Sequence, residues 1–390
     1  DPVIAQQTNS IGTALAVDLT AAGKKGVVIN ALYDYWTPAR HYQSYHGGMR
    51  ILTESASARI ATPLQVRFEQ LDTDALGYNA RERSWNHLEP WPGGEWRLRD
   101  IIDYQLITME SCLYYAALRR EELLRNFYGI GLRALNRKDP PYAFVLPRRQ
   151  HDPSSLTRLL QVLEFGQVEI EQARRSFSAA ARDYEAGDYV IRLAQPYGSF
   201  AKALLERQRY PDLRLYPGGP PKRPYDVTAH TLPLLLGVRA DTIDAPFQTE
   251  LARVAKVEPE PGAVADAPRL ALSPAWANTW IAVNRLLRAG AEVGRDPRDG
   301  TFTVANAGPA RALVPELARS LGLRFTAANG NGRRLRAPRV GLYKSFVPNM
   351  DEGWTRWILE QFEFPYTSLG NQDIQAGSLH SSDHSILLQQ

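Results

Sequence analysis

The sequence predicts an α/β protein. Short apolar runs bounded by glycine or proline read as buried strands, the first at 27–29 and the clearest at 142–146 and 339–343. Segments with apolar residues at helical spacing alternate with those runs, at 3–22, 100–127, 153–165 and 351–362. Helix, strand, loop and strand in repeated succession are the grammar of an α/β sheet.

Bulk properties narrow the class. The chain has 390 residues, 44% hydrophobic and 23% charged, which fits globular domains with a substantial core. The net charge is +4, but arginines lie scattered among acids, so no nucleic-acid partner is indicated. No apolar stretch is long enough for a membrane span. One cysteine, Cys112, rules out an internal disulfide and a cysteine zinc cage.

In chain order, Val3, Ile4, Ile11, Leu15 and Leu19 predict a first helix, closed by Gly23. A strand at 27–29, an aromatic loop at 33–48 and a strand at 49–53 follow. An irregular tryptophan-rich connection occupies 72–99, and one long helix at 100–127 turns Ile102, Leu106, Met109, Leu113, Leu124 and Phe127 to one face. Strands are expected at 142–146, 168–170 and 189–193, with helices at 153–165 and 198–208. Loops fall at 211–224 and 256–268. Mixed structure covers 280–321, a turn 330–334, and a β–loop–α–β unit of flavodoxin-like character begins at 339. The last residues, Ser385 to Gln390, read as a buried strand with nothing after it, so both ends read as cuts through larger units. The expected domains are 1–72, 73–138 as a connecting segment, 139–257, 258–335 and 336–390.

Glu54 is the leading candidate for chemistry. It ends the run Gly48-Met-Arg-Ile-Leu-Thr-Glu54, and functional groups in open α/β sheets gather beyond the carboxyl ends of strands. A carboxylate there suits a general base. The structural alternative is a salt bridge to Arg50 or Arg59. If the strands at 27–29 and 49–53 run parallel, Tyr33 and Tyr35 fall near Glu54, whereas Tyr45 and His46 precede the second strand. Those two tyrosines are candidate substrate contacts, with aromatic packing as the alternative.

Other motifs are weaker. None of the seven histidines has a glutamate three residues on, and only His380 and His384 share helical ligand spacing, so no metal ligand is assigned. Gly129-Ile-Gly-Leu-Arg-Ala134 follows a helical stretch instead of a strand and lacks phosphate-cradling geometry. Cys112 reads as a helical core residue. Asp351 and Glu352 read as helix N-terminal acids, with binding as the alternative.

Tyr33-Asp-Tyr-Trp-Thr-Pro-Ala-Arg40 and Tyr45-His-Gly-Gly-Met-Arg-Ile-Leu-Thr-Glu-Ser-Ala-Ser57 resemble the closing part of the catalytic domain of zinc carboxypeptidases, in a bacterial subgroup with a long C-terminal extension. Gln195-Pro-Tyr197, Pro224-Tyr-Asp-Val-Thr228, Leu232-Pro233 and Asp351-Glu-Gly-Trp-Thr-Arg356 resemble that extension, whose end is similar to class I glutamine amidotransferase domains. The resemblance implies that residues 1–72 are the last part of a mixed carboxypeptidase sheet and that 336–390 are an incomplete amidotransferase-like unit. It implies Glu54 as general base, peptides or proteins as substrates, and zinc as the cofactor of a larger parent protein. The family's H-x-x-E pair and later histidine lie upstream of the glutamate, and this chain has no such pair.

Overall fold

The computed structural model describes residues 1–31, 41–73, 77–209, 211–221, 231–347 and 349–377, together with the backbone of 385–387. It is an α/β structure of two compact units. The first comprises Asp1–Val145, Phe165–Leu235 and Ala240–Arg253; the second comprises Leu146–Glu164, Leu236–Arg239 and Val254–Gln390.

In the first unit, helix Pro2–Ala21 starts on Asp1, whose carboxylate accepts from Val3 N at 2.8 Å. Proline at the first helical position loses no hydrogen bond there. Ile4, Ile11, Leu15 and Leu19 are buried, and the helix packs on Leu98–Leu118. Tyr115 of that second helix donates its hydroxyl to Ser10 Oγ at 2.9 Å.

The expected helix at 100–127 is two helices, Leu98–Leu118 and Arg120–Leu135, separated by Arg119. Its expected core face is turned outward: Ile102 is 41% exposed and Leu113 72%. The buried residues of the first are Thr108, Ser111 and Tyr115. Two small hydroxyl side chains let helix 2–21 approach closely, and this overrides the hydrophobic stripe.

The sheet of this unit has five strands, in the order Asp241–Ile243, Ala143–Leu146, Tyr189–Arg192, Glu171–Ala173 and Leu251–Arg253. All four residues of Ala143–Leu146 are buried, which explains the unbroken apolar run. Phe177, Tyr184 and Phe247 stack over Val145, Val190 and Ile243. The strand expected at 168–170 forms at 171–173 instead; Gln167 takes φ 58°, so the chain turns before it pairs.

Residues 1–72 do not form the expected sheet. Their one strand among the described residues, Leu64–Val66, pairs antiparallel with Gly94–Trp96. Segments 27–29 and 49–53, expected as strands, carry no ladder. Their side chains favour strand conformation, but among the described residues no strand pairs with them.

The second unit holds a six-stranded sheet in the order Ala263–Val264, Arg324–Ala327, Arg269–Leu272, Phe302–Ala305, Val293–Arg295 and Arg333–Arg334. Helices Ala277–Arg288 and Pro309–Leu321 close its core, around Leu270, Leu286, Phe302, Val314, Leu317 and Phe325. A second sheet is wholly parallel: Tyr366–Leu369 and Ser385–Leu387 flank Val340–Tyr343, with helix Met350–Gln361 as the first crossover. The β–loop–α–β pattern starting at 339 is therefore present.

One carboxylate ties two helices of this unit. Buried Asp152 precedes helix Pro153–Phe165 and accepts from Ser154 N at 2.8 Å and Ser155 Oγ at 2.7 Å. It also accepts from Ala277 N, the start of helix Ala277–Arg288, at 2.9 Å. Trp276 has no side-chain oxygen to offer as that helix's own cap.

Two stability predictions follow from these contacts. Losing one N-cap costs about 0.5–2 kcal/mol, so Asp152→Ala, which uncaps two helices, should lower unfolding free energy by about 1–4 kcal/mol in urea titration. Arg285 holds the Glu363 carboxyl below the ordinary carboxylate range through hydrogen bonds as short as 2.7 Å, and Arg288 adds to it. A lowered folded value contributes stability that is complete above the ordinary carboxylate value and lost as pH falls through the folded one. The thermal midpoint should therefore drop more steeply between pH 5 and 3 in the parent chain than in Glu363→Gln.

Candidate functional site

A cavity of about 520 Å³ lies in the first unit, between helix 2–21 and the two segments 25–31 and 50–57. Each wall has its own fastening. Tyr104 holds Lys25 by donating to its carbonyl at 2.8 Å and accepting from its N–H at 3.1 Å. Gly26 N donates to Glu89 O at 2.7 Å, and Ile29 N to Asn86 O at 3.0 Å. Segment 25–29 is thus bound to the tryptophan-rich connection and not to 49–53.

The opposite wall is held differently. Residues 48–58 run without turn, bend or helix. From Met49 to Ser55 no backbone group is hydrogen-bonded among the described residues. The first side-chain anchor comes after them, where Trp96 Nε1 donates to Ala56 O at 2.8 Å. Trp96 is itself set by strand 94–96 and by edge contacts with Trp91 and Tyr104. The turn before that strand needs glycine at Gly93: φ is +81° there, and a Cβ would meet Phe68 N at 2.8 Å.

Glu54 lies in this wall, lines the cavity and is exposed. It makes no hydrogen bond or ion pair among the described residues, so the salt bridge to Arg50 or Arg59 that the sequence offered is not made. Arg50 lines the same cavity and also a second one of about 740 Å³, bordered by Asp1, Tyr45, His46 and Tyr197. Tyr33 and Tyr35 lie outside the described residues. The helix and tryptophan walls were not anticipated as parts of a site. The cluster of Trp91 and Trp96 was the available signal.

Burial shifts three tyrosine hydroxyls that line these cavities. Desolvation raises Tyr78 and Tyr104 at the first and Tyr45 at the second, where the Glu206 carboxylate adds to the effect. Burial also pushes the Cys112 thiol up, away from thiolate chemistry.

No three histidine, cysteine or acidic side chains gather to hold a metal among the described residues. His46 has both ring nitrogens against carbonyls, Tyr42 O and Gly166 O, each at 2.8 Å, and its ring stacks on Tyr42. His87 is buried with Nδ1 against Glu82 O at 3.2 Å. His380 and His384 lie outside the described residues. Gly129–Ala134 falls within helix Arg120–Leu135.

At the other end of the chain, Asn349 is the cap of helix Met350–Gln361, accepting from Asp351 N at 2.7 Å, so capping belongs to Asn349 and not to the acids. Glu352 is only 5% exposed, and its Oε1 has no hydrogen bond.

No family model, curated protein or solved structure matches the chain. Among the described residues no helix is long and apolar enough to cross a membrane.

The Trp96–Ala56 hydrogen bond invites a direct test. A neutral hydrogen bond contributes about 0.5–1.5 kcal/mol net, so Trp96→Phe should leave the thermal midpoint nearly unchanged while limited proteolysis within 49–57 becomes faster. Unchanged cleavage there would show that another contact holds the wall.

Proposed function

We propose that this chain belongs to a peptide-hydrolysing protein in which Glu54 serves as the general base, the chemistry of a metallocarboxypeptidase. The observation that carries the reading is the Glu54 carboxylate: exposed, in the wall of a cavity of about 520 Å³, with no partner among the described residues that would make it merely structural. The sequence Gly48 to Ser57 supports it through its resemblance to zinc carboxypeptidases. Glu54 takes a proton from the attacking water and passes it to the leaving amine. The substrate class is the C-terminal peptide bond of peptides or proteins.

Zinc does not fit the described residues. His46 has no ring nitrogen to spare, and no set of three ligands gathers. The reading therefore assigns this chain no metal-dependent step, and its hydrolytic role rests on ligands supplied by a larger protein.

A non-catalytic peptide- or protein-binding module is the second reading. The unpaired backbone of 49–55 favours it, because an open strand edge recruits extended polypeptide.

Two measurements separate the readings. In a protein carrying these residues together with a complete zinc site, Glu54→Gln should lower kcat by about 10²–10⁴-fold with zinc content unchanged. Near-parental kcat would remove Glu54 from the chemistry. The 390-residue chain itself should retain no stoichiometric zinc after dialysis and release no C-terminal residue from peptides; a chelator-sensitive turnover by this chain would overturn that assignment.

A further inference from the structure

We propose that segment 50–54 is a self-pairing strand through which two copies of this chain associate, antiparallel, about a two-fold axis at Leu52. The inference stands apart from catalysis and rests on three observations. First, the segment runs without turn, bend or helix, and no backbone group from Met49 to Ser55 is hydrogen-bonded among the described residues. An extended edge with free donors and acceptors is matched by another extended backbone.

Second, the order of side chains names the partner. Side chains alternate faces along a paired strand, so pairing of this segment would set Arg50, Leu52 and Glu54 on one face. Arg50 and Glu54 stand two residues either side of Leu52. Antiparallel pairing of the segment with its own copy therefore sets Arg50 of each copy opposite Glu54 of the other, and Leu52 opposite Leu52. The contact is isologous, the same surface on both copies, and it closes as a dimer. An unrelated strand would have to supply this charge order, whereas a second copy carries it.

Third, the groups are available. Neither Arg50 nor Glu54 has an ion pair or hydrogen bond among the described residues, and Leu52 is 40% exposed. Opposite charges directly across an antiparallel pair attract, and like charges there repel. Each dimer holds two such pairs.

The test is sedimentation velocity over a concentration series, with the chain as written and two charge reversals. Arg50→Glu and Glu54→Arg each place like charges opposite one another and should each weaken self-association by at least about tenfold. Mixed in equal amounts, the two variants should form a heterodimer, because every cross-strand pair is again of opposite sign. That recovery excludes misfolding as the cause of the single-variant loss. Dimerisation of the parent chain should also weaken from about 0.05 to 0.5 M salt.

Three results would overturn the proposal. One is a parent chain monomeric to about 100 µM, well above the micromolar range of weak complexes. Another is self-association that survives both reversals, as association through the exposed Ile102 and Leu113 face would. The last is a mixture that stays monomeric. Loss of Glu54 catalysis alone would leave all of these measurements unmoved, so the two ideas fail separately.

Discussion

An extended backbone carries one donor and one acceptor at every residue, and both need partners. That requirement organises this protein. It is met in Ala143–Leu146, with all four residues buried inside a five-stranded sheet. It is met again in Val340–Tyr343, paired in parallel on both sides. Among the described residues, no protein group meets it from Met49 to Ser55. The apolar run that ends at Glu54 is without a ladder there, and the cavity beside it lies where a sheet was expected.

Much of the fold was legible because local signals agreed with tertiary placement. Helix Pro153–Phe165 and strand Tyr366–Leu369 fall where apolar spacing puts them. The helix buries Leu156, Leu159, Leu160 and Leu163 and the strand buries Leu369, so pattern and packing ask for the same thing. Segments 27–29 and 49–53 differ from expectation because propensity says nothing of a partner; 48–58 has neither helix nor turn and still is not a sheet strand. Helix 98–118 failed for a different reason. Its hydrophobic stripe was real, but Thr108 and Ser111 gave the closer approach to helix 2–21, and backbone proximity decided the buried face.

The candidate site was legible only at its centre. Glu54 could be found because it ends an apolar run. Its surroundings could not, because they come from residues far along the chain: Trp91, Trp96 and Tyr104 line the same cavity from an irregular connection, a strand and a helix whose positions depend on tertiary contacts. The histidines illustrate the converse. His46 is a residue type that often binds metal, yet two carbonyls and neighbouring rings occupy it fully. A residue type suggests chemistry, and its hydrogen-bond partners decide whether that chemistry is open to it.

Asp152 has a consequence in time as well as in space. It serves helix Pro153–Phe165 from the adjoining position, but it meets Ala277 across 125 residues of chain. During synthesis at about 5–20 residues per second, the first helix has its cap as soon as it emerges, whereas the second arrives about 6–25 s later. The later helix begins on Trp276, which caps nothing. Its first turn is completed only by docking onto a helix made earlier, so the order of translation is written into which of the two helices owns the carboxylate.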